Sequence, residues 1–164
     1  VNNANFRGIA ARSDAVTDLV LAIVHHLLVF SLAGILAAEL AMIRPGLSGP
    51  GLKRLGIIDA HYGLIAGLII AVGFARVFYG VKGPDFYLGN HAFWAKIAAF
   101  LIVGLLSAVP TVRILQWRKR AKTEADFALG APEVAGVRRF LVAEVAVFAL
   151  IPIFAAAMAR GYGG

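Results

Sequence analysis

Residues 17–42, TDLVLAIVHHLLVFSLAGILAAELAM, decide how the chain is read. Apart from Asp18, His25, His26 and Glu39, the stretch is apolar or small. About 20 such residues, coiled as a helix, cross roughly 30 Å of hydrocarbon. Three further stretches, near 55–79, 91–116 and 138–159, have the same character. Hydrophobic residues make up 60% of the chain and its mean hydropathy is +0.82, beyond the range of an ordinary soluble domain. Membrane β-barrel strands would alternate in polarity over shorter segments, and no such alternation runs through the sequence. The pattern predicts an all-α, four-helix transmembrane bundle over residues 17–160. Residues 1–16, which include VNNANFRGIAARSDA, lack the apolar core and cleavage site of a secretory signal and are expected to form a flexible N-terminal tail.

The net charge of +7 reads as topology rather than as a nucleic-acid footprint. Arg44, Lys53 and Arg54 flank the first loop, and Arg113, Arg118, Lys119, Arg120, Lys122, Arg138 and Arg139 flank the third. By the positive-inside rule those loops are cytoplasmic and both termini periplasmic, which implies a multi-pass protein of the bacterial inner membrane. Cysteine is absent, which excludes disulfides, thiolate metal ligands, iron–sulfur clusters and covalent haem attachment. Ser31 and Ser107 lack a G-x-S-x-G setting, so nucleophilic hydrolysis has no support.

Local signals mark the ends of the spans. Ser13/Asp14 or Thr17/Asp18 are N-cap types for the first helix, RPGLSGPG (44–51) is turn chemistry, and Asn90 is an N-cap for the third span. Pro110 is expected to kink that span. Gly63, Gly67 and Gly73 offer close backbone approach, either as ordinary packing or as a dimer face. No internal repeat of the kind used by secondary transporters is evident.

Ionisable groups at membrane depth are costly and therefore candidate functional residues. At about 1.5 Å per residue, His25 and His26 lie roughly 12 Å below the outer boundary and His61 about 10–12 Å above the inner one. His91 opens the third span. At about 100° per residue, His25 shares a face with Glu39 whereas His26 looks elsewhere. Arg54, His61 and Arg76 share a face of the second helix. Basic groups (Arg76, Lys82, Lys96) gather toward the outside and carboxylates (Glu39, Asp59, Glu144) toward the cytoplasm.

Imidazoles on different helices, without thiols, suit axial ligation of b-type haem, with Arg or Lys on the propionates. His25, His26, His61, His91, Arg76 and Lys96 are the candidate binding residues. The pairing of His25 with His91 as iron ligands is preferred, because the outer cations then reach the propionates; His61 is the alternative partner. A copper or zinc site is a weaker expectation, since no H-x-x-x-H or H-E-x-x-H spacing occurs. A proton path through Glu39, His25, His61 and Glu144 is a further possibility.

Several short patterns carry a resemblance: the double histidine of helix one, D-x-x-Y-G (Asp59, Tyr62, Gly63), G-x-x-R (Gly73, Arg76), K-G (Lys82, Gly83), N-x-x-F-W-x-K (Asn90, Phe93, Trp94, Lys96) and S-x-x-P-T (Ser107, Pro110, Thr111). Together they resemble a bacterial four-helix inner-membrane family over residues 17 to 160. More distantly, a histidine in helix one and W-x-K at the head of helix three are similar to HemJ-type protoporphyrinogen oxidases and CopD-type membrane proteins. The former similarity implies haem or porphyrin in the outer half of the bundle, with His25 and Lys96 as the positions carried over.

The expected function is binding of b-type haem or a related tetrapyrrole for electron transfer in the membrane, with quinone as a candidate partner. The alternative is a non-catalytic accessory subunit of a larger respiratory or photosynthetic complex.

Overall fold

The computed structural model describes residues 2–163, with side chains from Arg12 onward. The helices in chain order are α1 (Asn2–Met42), α2 (Gly49–Tyr79), the short α3 (Gly83–Leu88), α4 (His91–Thr123), α5 (Ala131–Phe148) and α6 (Leu150–Ala159). Four stretches are long and apolar enough to cross a membrane: Arg12–Met42, Gly49–Tyr79, His91–Thr123 and Ala131–Ala159, the last formed by α5 and α6 together. The protein is an all-α four-helix bundle.

Every span is longer than the apolar pattern alone indicates, for local reasons. The Ser and Thr near the start of α1 do not cap it. Thr17 Oγ1 donates back to Ser13 O at 3.0 Å, the i−4 bond by which a hydroxyl sits inside a helix. Residues 12–16 therefore continue α1 instead of forming a flexible tail; Val1 and the side chains of residues 2–11 lie outside the described residues. In α2 and α5, a proline in the first turn, Pro50 and Pro132, moves the start upstream, where its missing N–H costs nothing and its φ is already helical. Glu133 adds a cap to α5 by accepting from Gly130 N at 3.2 Å. At the other end of α4, the strong helix formers of RKRAKT carry the helix to Thr123.

Pro110 lies within a continuous α4. The interruption falls instead at Ala149, between α5 and α6. Pro152 explains it: a proline has no N–H for the carbonyl four residues back, here Phe148, and its ring clashes there.

Helix α1 packs on α2 and α5, α2 on α4, and α4 on both α5 and α6. The main core, with Leu32, Leu36, Ile43, Leu55, Ile114 and Leu141, lies toward the two basic loops. Those loops are tied together by Gly46 N to Leu129 O and Leu129 N to Leu47 O, both 2.9 Å. The last turn of α1 has no basic residue of its own. Arg138 of α5 serves it, its Nη1 donating to Leu40 O (2.6 Å) and Ile43 O (3.1 Å), carbonyls that the helix end leaves unpaired. At the opposite end, His91 N donates to Gly163 O at 2.6 Å and Asn90 Nδ2 to Tyr162 O at 3.3 Å. The outward surface is apolar, with Phe30, Phe74, Phe78 and Leu105 all prominently exposed, as a lipid-facing surface requires.

Candidate functional site

Helices α1, α2 and α4 each bring one nitrogen-bearing side chain to a cavity of about 230 Å³ in the half of the bundle away from the basic loops. His25 comes from α1, Arg76 from the last turn of α2 and Lys96 from the early turns of α4. Gly73 lies one turn before Arg76 on α2, and a Cβ there would stand 3.7 Å from His25 Cε1. The small residue thus lets the imidazole lie close along α2. Phe93, Phe100 and Phe148 contribute apolar wall, and Tyr87 of α3 and Met158 of α6 help close the terminal end. Ile70, Phe74 and Leu101 also line the cavity and are exposed on the bundle surface, so it opens sideways toward lipid.

The polar groups here are not consumed by internal pairing. His25 Nδ1 and Arg76 Nε are buried and have no hydrogen-bond partner among the described residues. Lys96 Nζ stands over the Phe93 ring, 5.1 Å from its centroid. The salt bridges among the described residues are those of Arg120 with Glu124 and Glu133, both 3.2 Å and at the surface. An imidazole and two cations thus converge in an apolar cavity without a carboxylate counterpart.

The motif around α4 explains how Lys96 is placed. Asn90 caps the helix by accepting from Phe93 N at 3.2 Å. Trp94 Nε1 donates to Leu88 O at 3.0 Å. Phe93 is buried against Tyr87, with ring centroids 5.6 Å apart. With the first turn of α4 fixed in this way, Lys96 lies on the cavity side.

The other histidines do not enter the cavity. His26 and His61 are exposed, and Nδ1 of each donates to a carbonyl of its own helix, Ala22 O at 2.6 Å and Ile57 O at 2.7 Å. A carbonyl only accepts, so Nδ1 carries the proton and Nε2 is left as the acceptor. Any ligand held by these rings would sit outside the bundle. His91 is exposed at the start of α4. The expected convergence of two imidazoles inside the bundle is therefore replaced by one imidazole and two cations. Among the described residues no cluster of three or more His, Asp or Glu side chains is arranged to hold a metal ion.

A second polar group occupies the half nearer the basic loops. Glu39 and Glu144 are 3% and 0% exposed, and Asp59 is also buried. Tyr62 donates its hydroxyl to Glu144, and Thr111 Oγ1 donates to Asp59 Oδ1 at 2.7 Å. The sequence showed Asp59, Tyr62 and Thr111 as parts of D-x-x-Y-G and S-x-x-P-T without showing which partners they meet. Both pairings join residues far apart in sequence, which helical periodicity alone does not reveal.

A family model described as "Predicted membrane protein (DUF2214)" matches residues 17–163, most of the chain. The chain belongs to that family. No curated protein matches it, and no solved structure does. The match takes in both polar groups, three spans in full and the first from Thr17 onward, and with the four apolar helices it makes the chain an integral, multi-pass membrane protein.

Proposed function

We propose that the protein binds a carboxylate-bearing tetrapyrrole, b-type haem or a close relative, at the lipid-facing cavity in one half of the bundle. The observation that carries this reading is the meeting of His25, Arg76 and Lys96 at one apolar cavity, with His25 Nδ1 and Arg76 Nε left without partners. His25 is the one imidazole that lines the cavity among the described residues and would serve as an axial ligand. Arg76 and Lys96 bind carboxylates, for which guanidinium and ammonium donors are suited. His25 and Lys96 are also the two positions carried over from the porphyrinogen-oxidase resemblance. At about 230 Å³ the cavity is smaller than most cofactor sites, which run to roughly 300–1,000 Å³. His25, Arg76 and Lys96 would hold such a group, and the lateral opening beside Phe74 and Leu101 would accommodate what the cavity does not enclose.

A bound haem supplies one-electron chemistry at membrane depth, tuned by its axial ligand and by the dryness of the walls. The chain's own part is to ligate through His25, hold the carboxylates and exclude water with its phenylalanines. By the positive-inside rule the basic loops support a periplasmic position for this cavity in a bacterial inner membrane, with quinone as the proposed exchange partner. The test is titration of purified protein with haem, read by the Soret band. His25→Ala is expected to weaken binding at least tenfold, with His61→Ala and His91→Ala close to wild type. Absence of any saturable Soret change, or equal losses in all three variants, overturns the proposal.

A second reading, that the protein is an accessory subunit of a larger respiratory or photosynthetic complex, draws on the exposed His26 and His61. Imidazoles on a lipid-facing surface are costly unless something covers them. This reading expects co-purification with partner subunits that is lost in His61→Leu, with no tetrapyrrole bound.

A further inference from the structure

The carboxyl groups in the other half of the bundle have no part in the cavity chemistry. Each lies one to two helical turns inside a basic residue on its own helix or at its end: Glu39 before Arg44, Asp59 after Arg54, Glu144 after Arg138. At 1.5 Å of rise per residue that is about 7–9 Å below the basic rim. The cavity is on the far side of the bundle, with roughly 20 Å along α1 separating Glu39 from His25 by the same rise. Glu39, Asp59 and Glu144 nevertheless stand within electrostatic reach of one another.

The groups facing this cluster are few. From α2 come Asp59 and Tyr62, and from α4 come Thr111 and, farther off, the Arg118 guanidinium, which lies along Gly56 and reaches Asp59 electrostatically. Arg138 of α5 is engaged with carbonyls at the end of α1. No cation lies within salt-bridge distance of Glu39 or Glu144 among the described residues. Asp59 has Thr111, and one oxygen of Glu144 has Tyr62. Glu39 Oε1 and Glu144 Oε2 are buried with no partner among the described residues.

Two carboxylates in a dry interior with no counter-ion would each carry a heavy desolvation penalty and would repel one another. Taking up a proton removes one charge, and with it the repulsion and most of the desolvation cost. We propose that Glu39 and Glu144 form a buried proton-binding site, loaded from water at the end of the bundle rimmed by Arg44, Arg54 and Arg138. The step is a simple protonation: a hydronium ion at that aqueous end transfers one proton to a carboxylate oxygen and leaves as water. It requires no redox partner and does not rest on the tetrapyrrole reading of the cavity. Tyr62 is the positioning residue that fixes Glu144 with its second oxygen free.

Infrared difference spectroscopy of the full chain in lipid nanodiscs tests the site. At about neutral pH the wild type is expected to show a carboxylic-acid C=O band that shifts on transfer to D2O. Glu39→Gln or Glu144→Gln should remove it, while the exposed control Glu124→Gln should leave it intact. Where a Gln variant fails to fold, dicyclohexylcarbodiimide, which attacks protonated carboxyls in apolar surroundings, is applied to the wild type and the product mapped by mass spectrometry. Labelling at Glu39 or Glu144 that slows as pH is raised supports the site. An infrared spectrum with no band attributable to either residue overturns it, as does labelling confined to exposed carboxyls. Loss of the band on adding sodium at constant pH would assign the site to a metal cation and overturn the proton assignment.

Discussion

Replacing Lys96 with methionine separates binding from stability, because the two should move in opposite directions. Lys96 is half-buried in an apolar cavity, within electrostatic reach of the like-charged Arg76, and has no carboxylate within salt-bridge distance among the described residues. A lysine at the middle of a membrane helix costs about 2.5–3.5 kcal/mol. Lys96 lies near the helix end and beside an opening, so roughly half of that cost applies. Its contact with the Phe93 ring at 5.1 Å returns about 0.5–1 kcal/mol. Methionine keeps the length and flexibility of the chain and fills the same apolar space. The ligand-free protein should therefore become about 0.5–1 kcal/mol more stable as Lys96→Met. Affinity for a carboxylate-bearing tetrapyrrole should fall tenfold or more, which corresponds to about 1.4 kcal/mol or above. The assay is reversible unfolding in mixed micelles, beside a Soret titration of the same preparation. If Lys96→Met destabilises the ligand-free protein by more than 1 kcal/mol, Lys96 is a structural residue with a partner that the cavity geometry does not show.

Two further substitutions probe the supports of the polar groups. Tyr62→Phe removes the donor to the fully buried Glu144 and should cost about 1–3 kcal/mol, the penalty for leaving a buried acceptor unsatisfied; an unfolding midpoint equal to wild type would show that the bond contributes nothing. Asn90→Ala takes away the α4 cap and the bond to Tyr162 O and should cost about 1–2 kcal/mol. Faster hydrogen exchange at the Phe93 amide and earlier carboxypeptidase trimming should accompany it, and unchanged exchange would contradict the capping role.

The extent to which the sequence foretold these features differs between the fold and the site, for a physical reason. Spanning helices announce themselves because each must satisfy its own backbone hydrogen bonds and present apolar side chains to lipid, so the count of four was readable from hydropathy alone. Their ends were not, because Pro50, Pro132 and the RKRAKT run extend helices into polar territory that hydropathy scores as loop. Periodicity did place His25 and Glu39 on one inward side of α1 and separated His26 from them. It could not rank the histidines on other helices, since an imidazole on a lipid-facing surface can pair one of its two ring nitrogens within its own helix. His61 does so by donating to Ile57 O one turn back, a bond that gives no signal in hydropathy.

The short patterns are more informative once both polar groups are placed. Gly73, Arg76, Phe93 and Lys96 serve the cavity, while Asp59, Tyr62 and Thr111 serve the carboxyl cluster. One helix, α2, therefore carries both sets: Asp59 and Tyr62 toward its start, Gly73 and Arg76 toward its end. The segment between them packs Ile65, Ala66 and Ile69 into the main core, so α2 is a rigid strut rather than a hinge at that point. A change of charge at either end acts on the same packed element, and the cheapest response for a close-packed interior is a small rigid shift rather than local bending. Coupling between the two groups should then appear as a dependence of haem affinity on the Glu39→Gln or Glu144→Gln substitution, even though neither residue touches the cavity; Soret titrations that give wild-type affinity in both variants would show that α2 transmits nothing.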